Sequence, residues 1–243
     1  MEAERKQDCT VDPYRRQRLL VLLTALVLLI GALHAANIFR RESYSVFHPQ
    51  SRPCLVLDPG HGGIDGGAIA YDGTKESDLN LAIALKLRDL ASFYGCDTEM
   101  TRSDDSRRTD FMGYSEHEDL VFRVNLINQV PNGVLFSIHQ NYYPSSQPRG
   151  AQVLYAAGEE SKRLGELTHS LLLRSLQPEN RRVAQPAGKE LYITAHAVCP
   201  AVLVECGFLS NFDDLQQLRS DLYQTKLAAV LLTAFLQYTE QIA

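Results

Sequence analysis

The sequence predicts one α/β domain: a mostly parallel or mixed twisted sheet of about six strands flanked by helices, behind an N-terminal hydrophobic segment. Three observations carry that expectation. From residue 54 onward, short apolar runs alternate with longer stretches of helical period. Two of the runs, Val134 to Ile138 and Ala201 to Val204, are apolar throughout, as strands are when helices cover both faces of a sheet. Setting aside an N-terminal segment of about 50 residues leaves roughly 190, a length that suits one core.

Strands are expected at 54–58, 96–101, 133–138, 150–155, 190–194 and 200–205, and helices at 76–94, 116–129, 159–176 and 212–238. The first strand runs from Cys54 to Leu57 and breaks at Asp58, Pro59 and Gly60. Leu79, Ile83, Leu87 and Leu90 recur at helical spacing, and Gly95 supplies the stop. Residues 103–115 are polar and without period, so they read as a loop. Asn132-Gly133 marks a turn before the strand that ends at His139. Leu164, Leu167 and Leu171 mark the third helix, with Ser161 near its start. A second polar loop, 178–189, surrounds Pro178, Pro186 and Gly188.

The N-terminus is of a different kind. Residues 1–18 form a short leading segment with Arg15, Arg16 and Arg18 at its end. Residues 19–39 are hydrophobic, and Arg40 and Arg41 follow them. A run of about 20 such residues reaches across a bilayer, so it reads as an uncleaved signal anchor or as a cleaved signal peptide. The basic cluster before it keeps the N-terminus cytoplasmic and sends the rest of the chain outside. Residues 40–53, with Pro49 and Pro53, form a tether to the domain at 54–243.

The formal net charge is -5, which gives no polybasic footprint and argues against nucleic acid as a partner. The five cysteines are odd in number and contain no C-x-x-C, so neither a zinc ribbon nor a disulfide framework is indicated. Cys54, Cys96 and Cys199 read as buried small hydrophobes.

Three of the apolar strands run into a chemically capable residue: His61 after the first, His139 after VLFSI and Glu205 after AVLV. Sites of open α/β sheets form beyond the carboxyl ends of the strands. If these strands are parallel neighbours, the three residues converge. Glu76, at the start of the first helix, returns toward His61 through the glycine-bearing loop 65–75. Two imidazoles and one carboxylate make a ligand set that leaves zinc an open position, as catalytic sites require. Glu205 then reads as the general base. The alternative from spacing alone is that the histidines bond loop carbonyls, Glu76 caps a helix, and Glu205 is satisfied by backbone amides. An acid ending an apolar strand is costly unless paired. Asp58 reads as a carboxylate orienting a site histidine or as the centre of an Asx turn. Asn141 either binds substrate or shapes its loop. Arg123, and similarly Arg102, meets a buried carboxylate or the substrate. His117, His169 and His196 read as solvated or locally bonded.

Six ordered motifs resemble those of the zinc-dependent N-acetylmuramoyl-L-alanine amidases of the amidase 3 family: DPGHGGIDGGA at 58–68, ESDLNL at 76–81, TRSDD at 101–105, RVNLIN at 123–128, SIHQN at 137–141 and PAVLVECGFLSN at 200–211. The resemblance implies that His61, Glu76 and His139 hold one Zn2+ and that Glu205 is the catalytic glutamate. It implies a substrate, the amide joining N-acetylmuramic acid to L-alanine in peptidoglycan. A catalytic domain behind an N-terminal hydrophobic segment most resembles the germination-specific, CwlD-type amidases of spore formers. Those act toward muramic-δ-lactam in the spore cortex, and clostridial relatives use an activating lipoprotein. The architecture implies no further wall-binding repeat and leaves little room, between His139 and Glu205, for the long inhibitory helix of division-associated relatives. The implied location is outside the cytoplasm, at the cell wall or in the forespore intermembrane space. One departure stands out: the residue after SIHQN is usually small, and here Tyr142 and Tyr143 follow, to stack on a sugar, line the peptide groove or pack their loop. The competing expectations are a zinc carboxypeptidase or aminopeptidase, and a non-catalytic wall-binding protein.

Overall fold

The computed structural model describes residues 52–105 and 115–242, together with residues 17, 20 and 23–25. The chain divides into two units, residues 1–50 and 51–243. In the first, the described residues are helical, and Thr24 Oγ1 donates to the Leu20 carbonyl at 2.8 Å. The expected signal anchor or signal peptide at 19–39, and the tether after it, lie largely outside the described residues. Among the described residues, no helix is long and apolar enough to cross a membrane.

The second unit is an α/β domain whose sheet has six strands: β1 (Cys54–Pro59), β2 (Asp97–Met100), β3 (Gly133–Asn141), β4 (Gln152–Tyr155), β5 (Gln185–Pro186) and β6 (Ala201–Phe208). The order across the sheet is β2-β1-β3-β6-β4-β5. β2, β1, β3 and β6 run parallel, while β4 is antiparallel to β6 and parallel to β5. The sheet is therefore mixed.

The helices are α1 (Glu76–Phe93), α2 (Glu116–Asn128), α3 (Glu159–Ser175), α4 (Tyr192–His196), α5 (Phe212–Arg219) and α6 (Asp221–Ile242). Strand residues alternate between faces, and the two faces build two cores. Leu55, Leu57, Phe136, Ile138, Val202 and Val204 pack with Ile83 and Leu87 of α1, Leu164 of α3 and Leu231 of α6. Val56, Leu135 and Ala201 pack with Val124 and Ile127 of α2 and Ile193 of α4. This second, thinner layer leaves the upper part of its face to the polar residues at the strand ends.

α1 ends as expected. Gly95 takes φ 72°, the left-handed turn that closes helices, and Cys96 N–H returns to the Ala91 carbonyl at 2.9 Å. Ser115 caps α2 by accepting the Glu118 N–H at 3.3 Å.

Two expectations are corrected. Residues 190–194 are not a strand. Leu191 to Ala197 close a short helix, with Ala195 N–H on the Leu191 carbonyl at 2.9 Å and Tyr192 stacked on His196 with ring centres 3.9 Å apart. Isoleucine, threonine and tyrosine favour strands only where a pleated neighbour receives them, and here Ile193 is buried in the core between the sheet and α2 instead, its helix packing on α2 and β6. The sixth strand is the two-residue β5, too short to leave a periodic signal. The helix expected over 212–238 is two helices. The backbone at Ser220 is extended, with ψ 121°, and Gln224 Nε2 donates to the Leu218 carbonyl at 2.8 Å across the break.

Candidate metal centre and its buried glutamate

β1 and β3 pair in register through Pro59 and Ile138, so Gly60 lies beside His139 at the top of the sheet. A Cβ on Gly60 would lie 2.2 Å from the His139 ring. Only glycine lets the imidazole lie across the end of β1. His61 itself has φ 61°, a conformation that costs a non-glycine residue about 1 kcal/mol or more. The loop holds it there through the Gly62–Asp65 pair of backbone bonds at 2.8 and 3.1 Å.

Arg102 fastens this loop to the base of α1. Its guanidinium donates to the carbonyls of Pro59 at 3.0 Å, Gly60 at 3.1 Å and Ser77 at 2.9 Å. Arg102 thereby ties the loop to α1 through backbone carbonyls.

The two histidines meet at Glu76, the first residue of α1. His61 Nε2 lies 3.3 Å from Glu76 Oε2, and His139 Nδ1 lies 3.0 Å from Glu76 Oε1. The rings are edge to face, with centres 5.1 Å apart. Each carboxylate oxygen also accepts a backbone N–H, from Ala68 at 3.0 Å and Gln140 at 3.1 Å. Asn80 bridges the Gly60 carbonyl, Glu76 and Gln140. A Cβ on Gly67 would fall 2.7 Å from both Glu76 Oε2 and His61 Cδ2, so a second glycine is needed for this close approach.

Burial works to raise the Glu76 pKa, but the two imidazoles hold it well below the usual carboxylate range. Burial works to lower that of His61, but Glu76 and Asp65 push it up to about 9.

The ligand atoms of His61, Glu76 and His139 all lie within 4.8 Å of one another. Bonds of about 2 Å to a zinc-like cation place neighbouring donors about 3–4 Å apart, which this cluster approaches already. His61 Nδ1 is 2.7 Å from Asp65 Oδ2. Such a carboxylate fixes the tautomer and leaves Nε2 free for a metal. The donor set therefore fits a divalent cation of zinc type.

Glu205 pairs in register with His139 across β3 and β6. Its Oε2 is buried without a hydrogen-bond partner. Burial pushes the carboxyl up to about 7, with the histidines opposing and Glu76 adding. The alternative in which backbone amides satisfy this carboxylate is not what the structure holds at Oε2.

Asp58 does not orient a histidine. Arg123 donates to its two oxygens at 2.7 and 2.6 Å, Thr101 at 2.8 Å and Ser137 at 2.7 Å. The carboxylate on His61 is instead Asp65, four positions on, a spacing visible in the sequence once the loop is known to turn back. Arg123 is thus a buried partner of Asp58 and lies 3.6 Å from Asp119. Asn141 ends β3 with its carbonyl on Leu209 N–H at 2.8 Å. Tyr142 and Tyr143 are 52% and 55% exposed. His169 is buried with Nε2 on the Arg182 carbonyl at 2.8 Å, and His196 bonds the Tyr192 carbonyl. The described cysteines are all free.

A family profile described as N-acetylmuramoyl-L-alanine amidase matches residues 55–237. The germination-specific N-acetylmuramoyl-L-alanine amidase of Bacillus subtilis is 36% identical over 200 residues, covering 78% of this chain and 81% of that protein. The amidase LytC of the same organism is 32% identical over 180 residues, covering 73% of this chain and 34% of LytC. Among solved structures, the CwlD amidase of Clostridioides difficile in complex with the GerS lipoprotein superposes with a TM-score of 0.74 at 34% identity, covering 78% of this chain and 100% of that one.

Proposed function

Because this chain belongs to the N-acetylmuramoyl-L-alanine amidase family, we propose that it is a zinc amidase acting on peptidoglycan outside the cytoplasm, in maturation of the spore cortex. One observation carries the catalytic part: a gathered His61, Glu76 and His139 stand beside Glu205, whose buried Oε2 has no hydrogen-bond partner. In this reading His61, Glu76 and His139 would hold the zinc, whose chemistry there would be Lewis-acid polarisation of the scissile carbonyl and acidification of a water.

The chain's own groups do the rest. Asp65 keeps the His61 ring turned so that Nε2 faces the cluster. Asn80, with the Ala68 and Gln140 N–H groups, fixes the Glu76 carboxylate. Glu205 takes the proton from the attacking water at its unpartnered Oε2 and returns it to the leaving nitrogen of L-alanine. Asp58 and Arg123 hold β1, β3 and α2 together beneath the site. Asn141 and the exposed Tyr142 and Tyr143 line the approach of the glycan.

The cortex role is supported by likeness to the B. subtilis germination amidase. The C. difficile relative's complex with a lipoprotein supports a lipoprotein activator here as well. The hydrophobic segment at 19–39 would tether the domain to the outer side of the membrane.

The test is incubation of the purified full chain with muropeptides, with and without zinc, followed by mass spectrometry of the products. Zinc-dependent release of intact stem peptide starting at L-alanine is expected. Stepwise loss of terminal residues would instead make it a carboxypeptidase or aminopeptidase. Wall binding with neither metal nor hydrolysis would make it a non-catalytic binder.

A further inference from the structure

A row of side chains crosses the top of the sheet. His139 faces Glu205 across β3 and β6, and Glu205 faces Gln152 across β6 and β4. Residues opposite one another in register share a face, so Gln152 continues the line beyond the glutamate. Its amide oxygen accepts a hydrogen bond from Arg182 Nη1 at 3.1 Å.

Arg182 is fastened from several sides. Its N–H donates to Asn180 Oδ1 at 3.0 Å, and its carbonyl holds His169 at 2.8 Å. Its Nε donates to the Arg149 carbonyl at 3.2 Å, and its guanidinium lies 4.7 Å from the centre of the Phe208 ring. None of these contacts uses Nη2, and no carboxylate of the described residues forms an ion pair with it.

The same arginine lines a cavity of about 790 Å³ with Arg149, Arg181, Gln177 and Phe212. Of the acidic residues there, Asp214 already accepts the Gly150 and Phe208 N–H groups at 2.8 Å each. Glu179 and Asp213 remain, outnumbered by the arginines. An arginine held in place with no carboxylate of its own is pre-organised for the planar, two-point recognition of one.

We propose that Arg182, supported by Arg149 and Arg181, binds a carboxylate of the peptide on the leaving side of the scissile amide and selects acidic stem peptides. This rests on the amidase reading above, and the row gives the side. The metal cluster lies on one flank of Glu205 and Arg182 on the other. The glutamate protonates the leaving nitrogen, so the departing peptide extends away from the metal, toward Gln152 and the cavity.

Two measurements on the full chain test this, with L-alanyl-D-glutamate and its α-amide as free peptides, and muramoyl substrates carrying either peptide. The wild type is expected to bind the acid more tightly than the amide, and to favour the acidic substrate by about 10- to 100-fold in kcat/KM, the scale of a hydrogen-bonded charge. Arg182→Gln should erase that preference through KM with kcat little changed. Arg182→Lys should restore part of it, which separates lost recognition from lost folding. Gln152→Leu, which frees the arginine but keeps its charge, should weaken the preference only a few-fold. Equal binding of acid and amide by the wild type, or a preference surviving Arg182→Gln, overturns the proposal. If neither substrate is cleaved yet the acid binds through Arg182, the amidase reading fails and with it the leaving-side assignment, and only the carboxylate site at Arg182 stands.

Discussion

Asp58 and Glu205 invite direct comparison. Both are carboxylates that end apolar runs in the same sheet, Asp58 fully buried and Glu205 with its Oε2 buried. The structure treats them oppositely. At Asp58, burial by itself raises the pKa, but the Arg123 guanidinium and the Ser137 hydroxyl bring it down to about 2. At Glu205 no such partner arrives, Oε2 stays unsatisfied, and burial carries the carboxyl up to about 7. A buried acid saturated with donors is a structural tie. An acid left short of them, beside a gathered set of candidate metal ligands, is available to move a proton. What separates the two roles is the donor count around each group.

That contrast can be broken most sharply at the metal cluster, where the expected effect is largest. His139→Ala removes a ring from between Glu76 and Glu205, so metal content and turnover should both fall to background, read by elemental analysis and by release of stem peptide. Next in size, Glu205→Ala should keep the metal and the fold but lower kcat by about 10²- to 10⁴-fold, the usual contribution of a positioned acid–base group. A rate near the wild type would remove Glu205 from the chemistry.

The opposite pattern is expected at Asp58. Asp58→Asn leaves the Arg123 charge buried, with Asp119 at 3.6 Å as its remaining carboxylate. Stability should drop by about 3 kcal/mol in urea titration, the lower end for breaking a buried pair. Activity per folded molecule should stay close to normal. If Asp58→Asn instead spared stability and abolished turnover, the two carboxylates would have to exchange roles.

Much of this layout was legible in the sequence, because apolar runs that end in His61, His139 and Glu205 announce both strands and site. The family motifs named the same residues. What stayed hidden depended on contacts between distant segments. Asp58 closes the apolar run of β1 and Asp65 stands in the glycine-rich loop after it, and only the fold decides which reaches a histidine. Arg123 does not announce in the sequence that Asp58 is its partner, 65 positions away. The strand expected at 190–194 failed because β-branched residues report burial, which a short helix under the sheet also supplies. Ser220 divides the last helix without a proline or glycine to mark the break. Gln152 and Arg182 carry no motif at all, since their relation to Glu205 comes only through the antiparallel pairing of β4 with β6.

The finest test of the comparison is the acid limb of stability. The folded pKa of Asp58, about 2, lies below the value of about 3.9 for an unfolded aspartate. Between those values the unfolded chain binds more protons, so stability rises with pH. The contribution is complete above about pH 4 and is lost as the pH falls through 2, and a shift of this size is worth about 2 kcal/mol. Urea titrations of the wild type and of Asp58→Asn at pH 5 and at pH 2.5 should therefore converge at the lower pH, because protonation removes from the wild type what the substitution removes from the variant. If the two curves stayed equally far apart at both values, Asp58 would not be the ionised partner of Arg123, and its difference from Glu205 would lie in packing rather than in charge.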